Sequence, residues 1–224
     1  MSDFQRYAVY YLPDDADLAA FGAAWLGWDV VSGEAVAQPD LDGIEVATKT
    51  PRKYGFHGTL KPPFRLGDEA KLADLQNDIA ALADATAPIA LDGLTLSRIG
   101  KFLALTPEGD TSSLAKIAFA CVSQLDAYRA APSAAELDRR RAAGLTTRQD
   151  ALLVKWGYPY VAEEFRFHLT LSGKLDEREL DHLQAAAAER MPVLPSPFPI
   201  TSIALAGEAS DGLFRQIHRY ALTG

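Results

Sequence analysis

Two five-residue segments of this chain share one frame. Phe56-His57-Gly58-Thr59-Leu60 returns, about half a chain later, as Phe167-His168-Leu169-Thr170-Leu171. Side chains of a strand alternate between its faces, so residues two apart share a side. In the second copy Phe165, Phe167, Leu169 and Leu171 form an apolar face, and Arg166, His168, Thr170 and Ser172 form a polar one. In the first copy Tyr54, Phe56, Gly58 and Leu60 go one way, and Gly55, His57, Thr59 and Lys61 the other. Such a pair constrains the fold to duplicate. Each strand needs a core beneath its apolar face, and a pseudo-two-fold axis between them would turn both His–Thr faces into one cleft.

The surrounding pattern agrees with duplication. Residues 54–61 and 165–172 read as the motif strands, and the order strand–helix–strand–strand occurs twice, at 54–106 and 165–222. The helices are the amphipathic runs 68–85 and 177–190, each followed by a hairpin pattern. Upstream, 6–12 reads as a strand, 17–28 as a helix and 30–50 as a long loop; 111–130 reads as another helix. Two capping signatures, Ser133-x-x-Glu136 and Thr146-x-x-Gln149, predict a helical insert at about 133–156. The expectation is an α+β protein of two similar lobes with mostly antiparallel sheets related by a pseudo-two-fold. Helices lie on the outside and the active cleft lies between the lobes. No low-complexity linker interrupts the chain, so 1–224 is expected to be a single two-lobed domain.

A pair of imidazoles suits phosphodiester cleavage without metal. The ordinary histidine pKa of ~6.5 lets one ring act as base while the other acts as acid near neutral pH. The base takes a proton from water, and the acid protonates the departing alkoxide. The Thr59 and Thr170 hydroxyls can donate to non-bridging phosphate oxygens, and Lys61 and Arg166 would add cationic donors. Metal-ligand spacings such as His-x-His, His-Glu-x-x-His or Cys-x-x-Cys are absent from the sequence, so no metal and no cofactor is expected. A Gly-rich phosphate loop and a dinucleotide fingerprint are absent as well.

The pairing of His57-x-Thr59 with His168-x-Thr170 resembles the two-histidine phosphoesterase superfamily, which includes cyclic nucleotide and RNA 2′,3′-cyclic phosphodiesterases and RNA-ligase-like proteins. Longer segments, among them Arg6-Tyr-Ala-Val-Tyr-Tyr11, 54–64, the Arg139–Leu145 region and 156–173, are similar to an uncharacterised bacterial family linked to phosphonate utilisation. Gly58 departs from the pattern, which more often has Ala there. The resemblance implies a phosphodiesterase acting on a small, sugar-linked, cyclic phosphodiester, with a phosphoribosyl cyclic phosphate as the natural guess. An RNA cyclic phosphodiesterase or ligase-like enzyme, and a non-catalytic binder of nucleotides or RNA ends, are the rival readings.

Charge bears on those rivals. The formal net charge is −8, and neither RNA reading finds a basic stripe to receive a strand of phosphates. A small phosphorylated substrate needs only a few local cations. Tyr160 reads either as a stacking platform or as packing. Arg139, Arg140 and Arg141 read as a solvated helix face offset by Glu136 and Asp138, or as a lid holding a second phosphate. Arg52 and Lys53 are placed at the cleft rim, and His182 and His218, without a Thr two residues on, at the surface or in packing. The single cysteine, Cys121, sits in an apolar run and reads as core. No stretch approaches the ~20 apolar residues of a membrane span, and the N-terminal residues lack leader features, so a cytoplasmic location is expected.

Overall fold

The computed structural model describes residues 4–224; Met1–Asp3, where the leaderless reading and the single-domain span begin, lie outside the described residues. In chain order the elements are β1 (Arg6–Tyr11), α1 (Ala16–Leu26), β2 (Trp28–Asp29), β3 (Glu34–Ala35), α2 (Ile44–Arg52), β4 (Gly58–Phe64) and α3 (Leu72–Asp84). There follow β5 (Ile89–Leu91), β6 (Gly93–Ile99), β7 (Phe102–Glu108), α4 (Ser112–Gln124), α5 (Ala134–Arg141) and α6 (Thr147–Trp156). The chain ends with β8 (Leu169–Thr170), α7 (Glu177–Arg190), β9 (Phe198–Ile200), β10 (Ser202–Glu208) and β11 (Phe214–Ala221).

Seven strands form one antiparallel sheet in the order β11-β10-β1-β4-β8-β7-β6. The two motif strands, β4 and β8, are neighbours at its centre, and their seam is narrow, registered at Gly58 opposite Leu169. The lobes expected from the sequence are therefore the two wings of one sheet. They are not contiguous copies either. The hairpin β6–β7 that follows the first motif builds the wing of β8, and the hairpin β10–β11 that follows the second builds the wing of β4 through β1. The crossing segments β5 and β9 pair antiparallel with each other, Ala90 opposite Pro199. Equivalent segments paired antiparallel both at the seam and at the crossing define the pseudo-two-fold axis.

One face of the sheet carries the main core. Tyr7, Val9, Tyr11, Phe56, Leu60, Phe167, Leu169 and Leu171 meet Leu75, Ile79, Leu114, Ile117, Leu180 and Leu183 from α3, α4 and α7 there. Cys121 is fully buried in this cluster, and burial pushes its thiol up to about 12, as suits a packing residue. The other face of the β1 wing holds a smaller cluster, with Ala8, Tyr10, Leu12, Trp28 and Phe214. Strand β1 is thus apolar on both faces, as a central strand must be when each side is covered.

The local signals decide most element ends. Thr146 and Gln149 complete a reciprocal capping box at α6, as Asp176 and Glu179 do at α7. Ser133 caps α5 by accepting from the Glu136 amide, while the Glu136 carboxylate turns to Arg140 instead. The expected loop 30–50 contains α2, a nine-residue helix with Pro51 in its last turn. Its buried residues, Ile44, Ala47, Thr48 and Pro51, fall at i, i+3, i+4 and i+7, a helical spacing that the polar Thr48 and the Pro51 disguise in the sequence. The 165–172 strand shrinks to β8, since only Leu169 and Thr170 pair with the neighbours β4 and β7; residues 162–164 form a 3₁₀ turn before it.

Candidate active site

The seam register builds the site. Antiparallel strands with Gly58 opposite Leu169 bring His57 across from Thr170 and Thr59 across from His168. Facing residues share a side, so the four polar side chains make a square with the histidines on one diagonal. Diagonal neighbours on an antiparallel pair have Cα atoms roughly 7–8 Å apart, which leaves room for a phosphate between the rings. Two cavities flank this square and share Phe102 as a wall. One, of about 550 Å³, is lined by His57 and Thr170 with Tyr54, Thr50, Ser172 and Lys174. The other, of about 440 Å³, is lined by His168 and Thr59 with Tyr158, Tyr160, Phe165 and Arg166. Each cavity therefore holds one histidine and the other motif's threonine.

Both rings are set the same way. His57 Nδ1 lies 2.9 Å from the Gly55 carbonyl oxygen, and His168 Nδ1 lies 2.8 Å from that of Arg166. A carbonyl only accepts, so each Nδ1 carries the hydrogen and each neutral ring has its lone pair at Nε2. Thr59 Oγ1, 2.9 Å away, donates to His57 Nε2. His168 Nε2 has no protein partner among the described residues. Tyr10 stacks on the His57 ring at 3.8 Å between centroids and fixes its plane, and Phe102 packs 5.6 Å from His168.

Burial controls the titration of the pair. It pushes the His57 imidazole down to about 4, with the nearby His168 adding repulsion and the Gly55 carbonyl opposing the drop. His168 is lowered for the same first reason, and the Arg166 carbonyl opposes it. For both rings desolvation, and not the charge of Lys61 or Arg166, is the leading cause.

Glycines permit this geometry at two points. Gly55 has φ +73°, and a Cβ there would meet Val30 at 2.5 Å. That left-handed residue presents its carbonyl to His57. A Cβ on Gly58 would meet the Phe167 ring at 2.3 Å, so the seam closes only over a bare Cα. The Ala of the related pattern does not fit beside this phenylalanine.

Lys61 is a correction. The register slips by one between Tyr10 opposite Thr59 and Val9 opposite Lys61. This bulge turns Lys61 from the Thr59 face to the Val9 face. There it is 2% exposed, lies over the Phe64 ring and donates to the Val122 carbonyl in the last turn of α4 at 3.1 Å. Burial lowers its pKa to about 8. It caps a helix and lines neither cavity. Arg166 and Tyr160 do line the cavity of His168, the former with its Nη1 donating to the Glu163 and Phe165 carbonyls and the latter edge-on to Tyr158. Arg52 leaves the rim to donate to the Gly27 carbonyl, and Lys53 covers the Tyr54 ring. His182 and His218 are exposed.

Residues the sequence reading missed are Tyr10, Tyr54 and Phe102. Tyr54 was placed on the core face by strict alternation, but the turn at Gly55 breaks the count and puts it beside His57 and Phe214. Tyr10 sits on a strand apolar on both faces, so no polar alternation marks it. Among the described residues, no three His, Cys, Asp or Glu side chains cluster in a metal-binding arrangement, and no helix is long and apolar enough to cross a membrane.

Known proteins resemble the chain at two levels. Residues 59–215 match the family described as "Protein of unknown function (DUF1045)", a span that takes in Thr59, His168 and Thr170 and begins just past His57. Two proteins named "Ribose 1,5-bisphosphate phosphokinase PhnN" are 37% identical. The one from Janthinobacterium sp. (strain Marseille) aligns over 92% of this chain and 48% of its own length; the one from Laribacter hongkongensis (strain HLHK9) aligns over 82% and 43%. The chain thus spans about half the length of these relatives. Among solved structures, E. coli LigT complexed with NADP+ superposes with a TM-score of 0.44 at 14% identity, covering 100% of both chains.

Proposed function

This chain belongs to the DUF1045 family, and we propose that it is a metal-independent phosphodiesterase of the two-histidine type that opens a small, sugar-linked cyclic phosphate. The observation that carries this is the Gly58–Leu169 register, which sets His57 and His168 diagonally across a square completed by Thr170 and Thr59. The phosphate lies between the rings, with Thr170 and Arg166 donating to its non-bridging oxygens and the Thr59 hydroxyl turning from His57 Nε2 to the phosphate, which frees that nitrogen to accept from water. His57, the more deeply buried ring, stays neutral well below pH 7 and takes a proton from water at Nε2 as the water oxygen attacks phosphorus. His168, with Nε2 unoccupied and less of its ring buried, acquires a proton when the anion binds and gives it to the alkoxide as the P–O bond breaks. The net change is addition of one water, leaving a monoester and a hydroxyl.

The natural substrate on this reading is a phosphoribosyl cyclic phosphate. Opening a 1,2-cyclic phosphate on ribose 5-phosphate at the 2-oxygen gives ribose 1,5-bisphosphate, the compound in the relatives' name. A diesterase that makes this product and a kinase that uses it would form consecutive steps. The aromatic lining of the His168 cavity, with Tyr158, Tyr160 and Phe119, supports a second reading in which a nucleobase stacks there. Turnover of phosphoribosyl cyclic phosphate and of nucleoside 2′,3′-cyclic phosphates, each measured after exhaustive chelation, tests both. The proposal requires the phosphoribosyl compound to have the higher kcat/KM. A reversed order favours the nucleotide reading, and activity restored only by an added metal ion contradicts both.

A further inference from the structure

The three consecutive arginines of α5 are not equivalent. Arg141 is committed to Asp150 through bonds of 2.6 and 3.3 Å, and Arg139 is exposed. Arg140 turns inward, with its guanidinium carbon 5.1 Å from the centroid of the Tyr158 ring. Its carboxylate partner, Glu136, accepts a single bond of 3.3 Å from one terminal nitrogen. Its Nε is buried without a hydrogen-bond partner, while about a quarter of the side chain stays accessible. A buried donor left unmet on a charged group is costly, so an acceptor that reaches Arg140 gains more than it would at an ordinary surface arginine.

The place of Arg140 gives that unmet donor a meaning. Tyr158, on whose ring it stacks, lines the cavity of His168, Thr59 and Arg166. Arg166 on the same wall bonds only to main-chain carbonyls, and the wall's one carboxylate, Glu164, accepts from Gln149. The wall thus carries one cation, Arg166, and a second, Arg140, stands behind it on the Tyr158 ring, in a protein whose overall charge is −8. Guanidinium groups bind phosphate in two-pronged fashion, and stacking on an aromatic ring pre-orients the fork.

We infer that Arg140 forms a second anion subsite, which takes the additional phosphate of a doubly phosphorylated sugar while the cyclic diester lies between His57 and His168. The identity of the first group rests on the diesterase reading; the anion subsite does not. Two measurements keep them apart. Calorimetric binding of ribose 5-phosphate and of ribose needs no turnover. Wild-type protein binds ribose 5-phosphate at least tenfold tighter than ribose, Arg140→Gln loses about tenfold of that affinity, Arg140→Lys recovers part, and Arg141→Gln is unchanged. In turnover, the preference in kcat/KM for the 5-phosphorylated over the unphosphorylated ribose cyclic phosphate falls at least tenfold in Arg140→Gln, through KM. An Arg140→Gln protein that binds ribose 5-phosphate like wild type overturns the subsite, as does wild-type protein that does not distinguish ribose 5-phosphate from ribose. If neither cyclic phosphate is turned over, the diesterase reading falls and the calorimetry still decides the subsite.

Discussion

His57 pairs a half-buried ring with a fixed tautomer, and its titration is the most informative property of a single residue here. Because burial disfavours the imidazolium, more acid is needed to protonate it, and its pKa falls from 6.5 to about 4. As the base, it predicts an acid limb of kcat/KM well below pH 6; a limb at the ordinary histidine value contradicts the assignment. Stability follows with a definite sign. Between about pH 6.5 and 4 the unfolded chain binds a proton that the folded chain refuses, so stability is lost as pH falls through that window. The shift corresponds to roughly 3 kcal/mol, and denaturant unfolding across the window should show a smaller slope for His57→Gln. Lys61 makes the opposite kind of prediction. Lys61→Met leaves KM within about twofold but orphans the Val122 carbonyl, at a cost of ~1–3 kcal/mol read in denaturant unfolding. A large KM effect would return Lys61 to the phosphate. Both histidines and both threonines were legible in the sequence because repetition marked them. Lys61 was misread because a bulge arises from long-range pairing, and no local pattern announces the slip.

The motif strands are the elements that matter, and their seam is a single close approach. Gly58→Ala places a methyl group into the Phe167 ring, so β4 and β8 must separate or twist. A loss of ~1–3 kcal/mol is expected from overpacking, with a fall in kcat because the strained seam carries all four polar side chains. Phe167→Leu in the same chain should recover part of both, and a double-mutant cycle reads that coupling. Additive effects would show that the contact does not govern the seam. The helices and capping boxes of α6 and α7 were readable since their signals are local. The exchange of hairpins between wings was not, because each hairpin reads identically wherever it docks. Tyr54 shows the same limit on a smaller scale: alternation is sound only while the chain stays extended, and Gly55 ends that.

At the scale of the molecule, the duplicated fold brings two weakly polar cavities to one pair of imidazoles inside an acidic protein. A compact sugar phosphate should therefore outcompete an oligonucleotide ending in a 2′,3′-cyclic phosphate, and its binding should weaken only mildly with salt. A steep salt dependence with preference for the oligonucleotide would contradict this and point to Arg139 on the insert as part of an RNA track. Whether two diagonally placed histidines perform the chemistry without metal is read from turnover of a phosphoribosyl cyclic phosphate in the presence of chelator by wild type, His57→Ala and His168→Ala. Wild type is expected to sustain turnover and each variant to show a kcat lower by at least ~10²-fold, with folding intact because both rings face the cleft. Wild-type-like turnover in either variant would contradict the two-histidine chemistry.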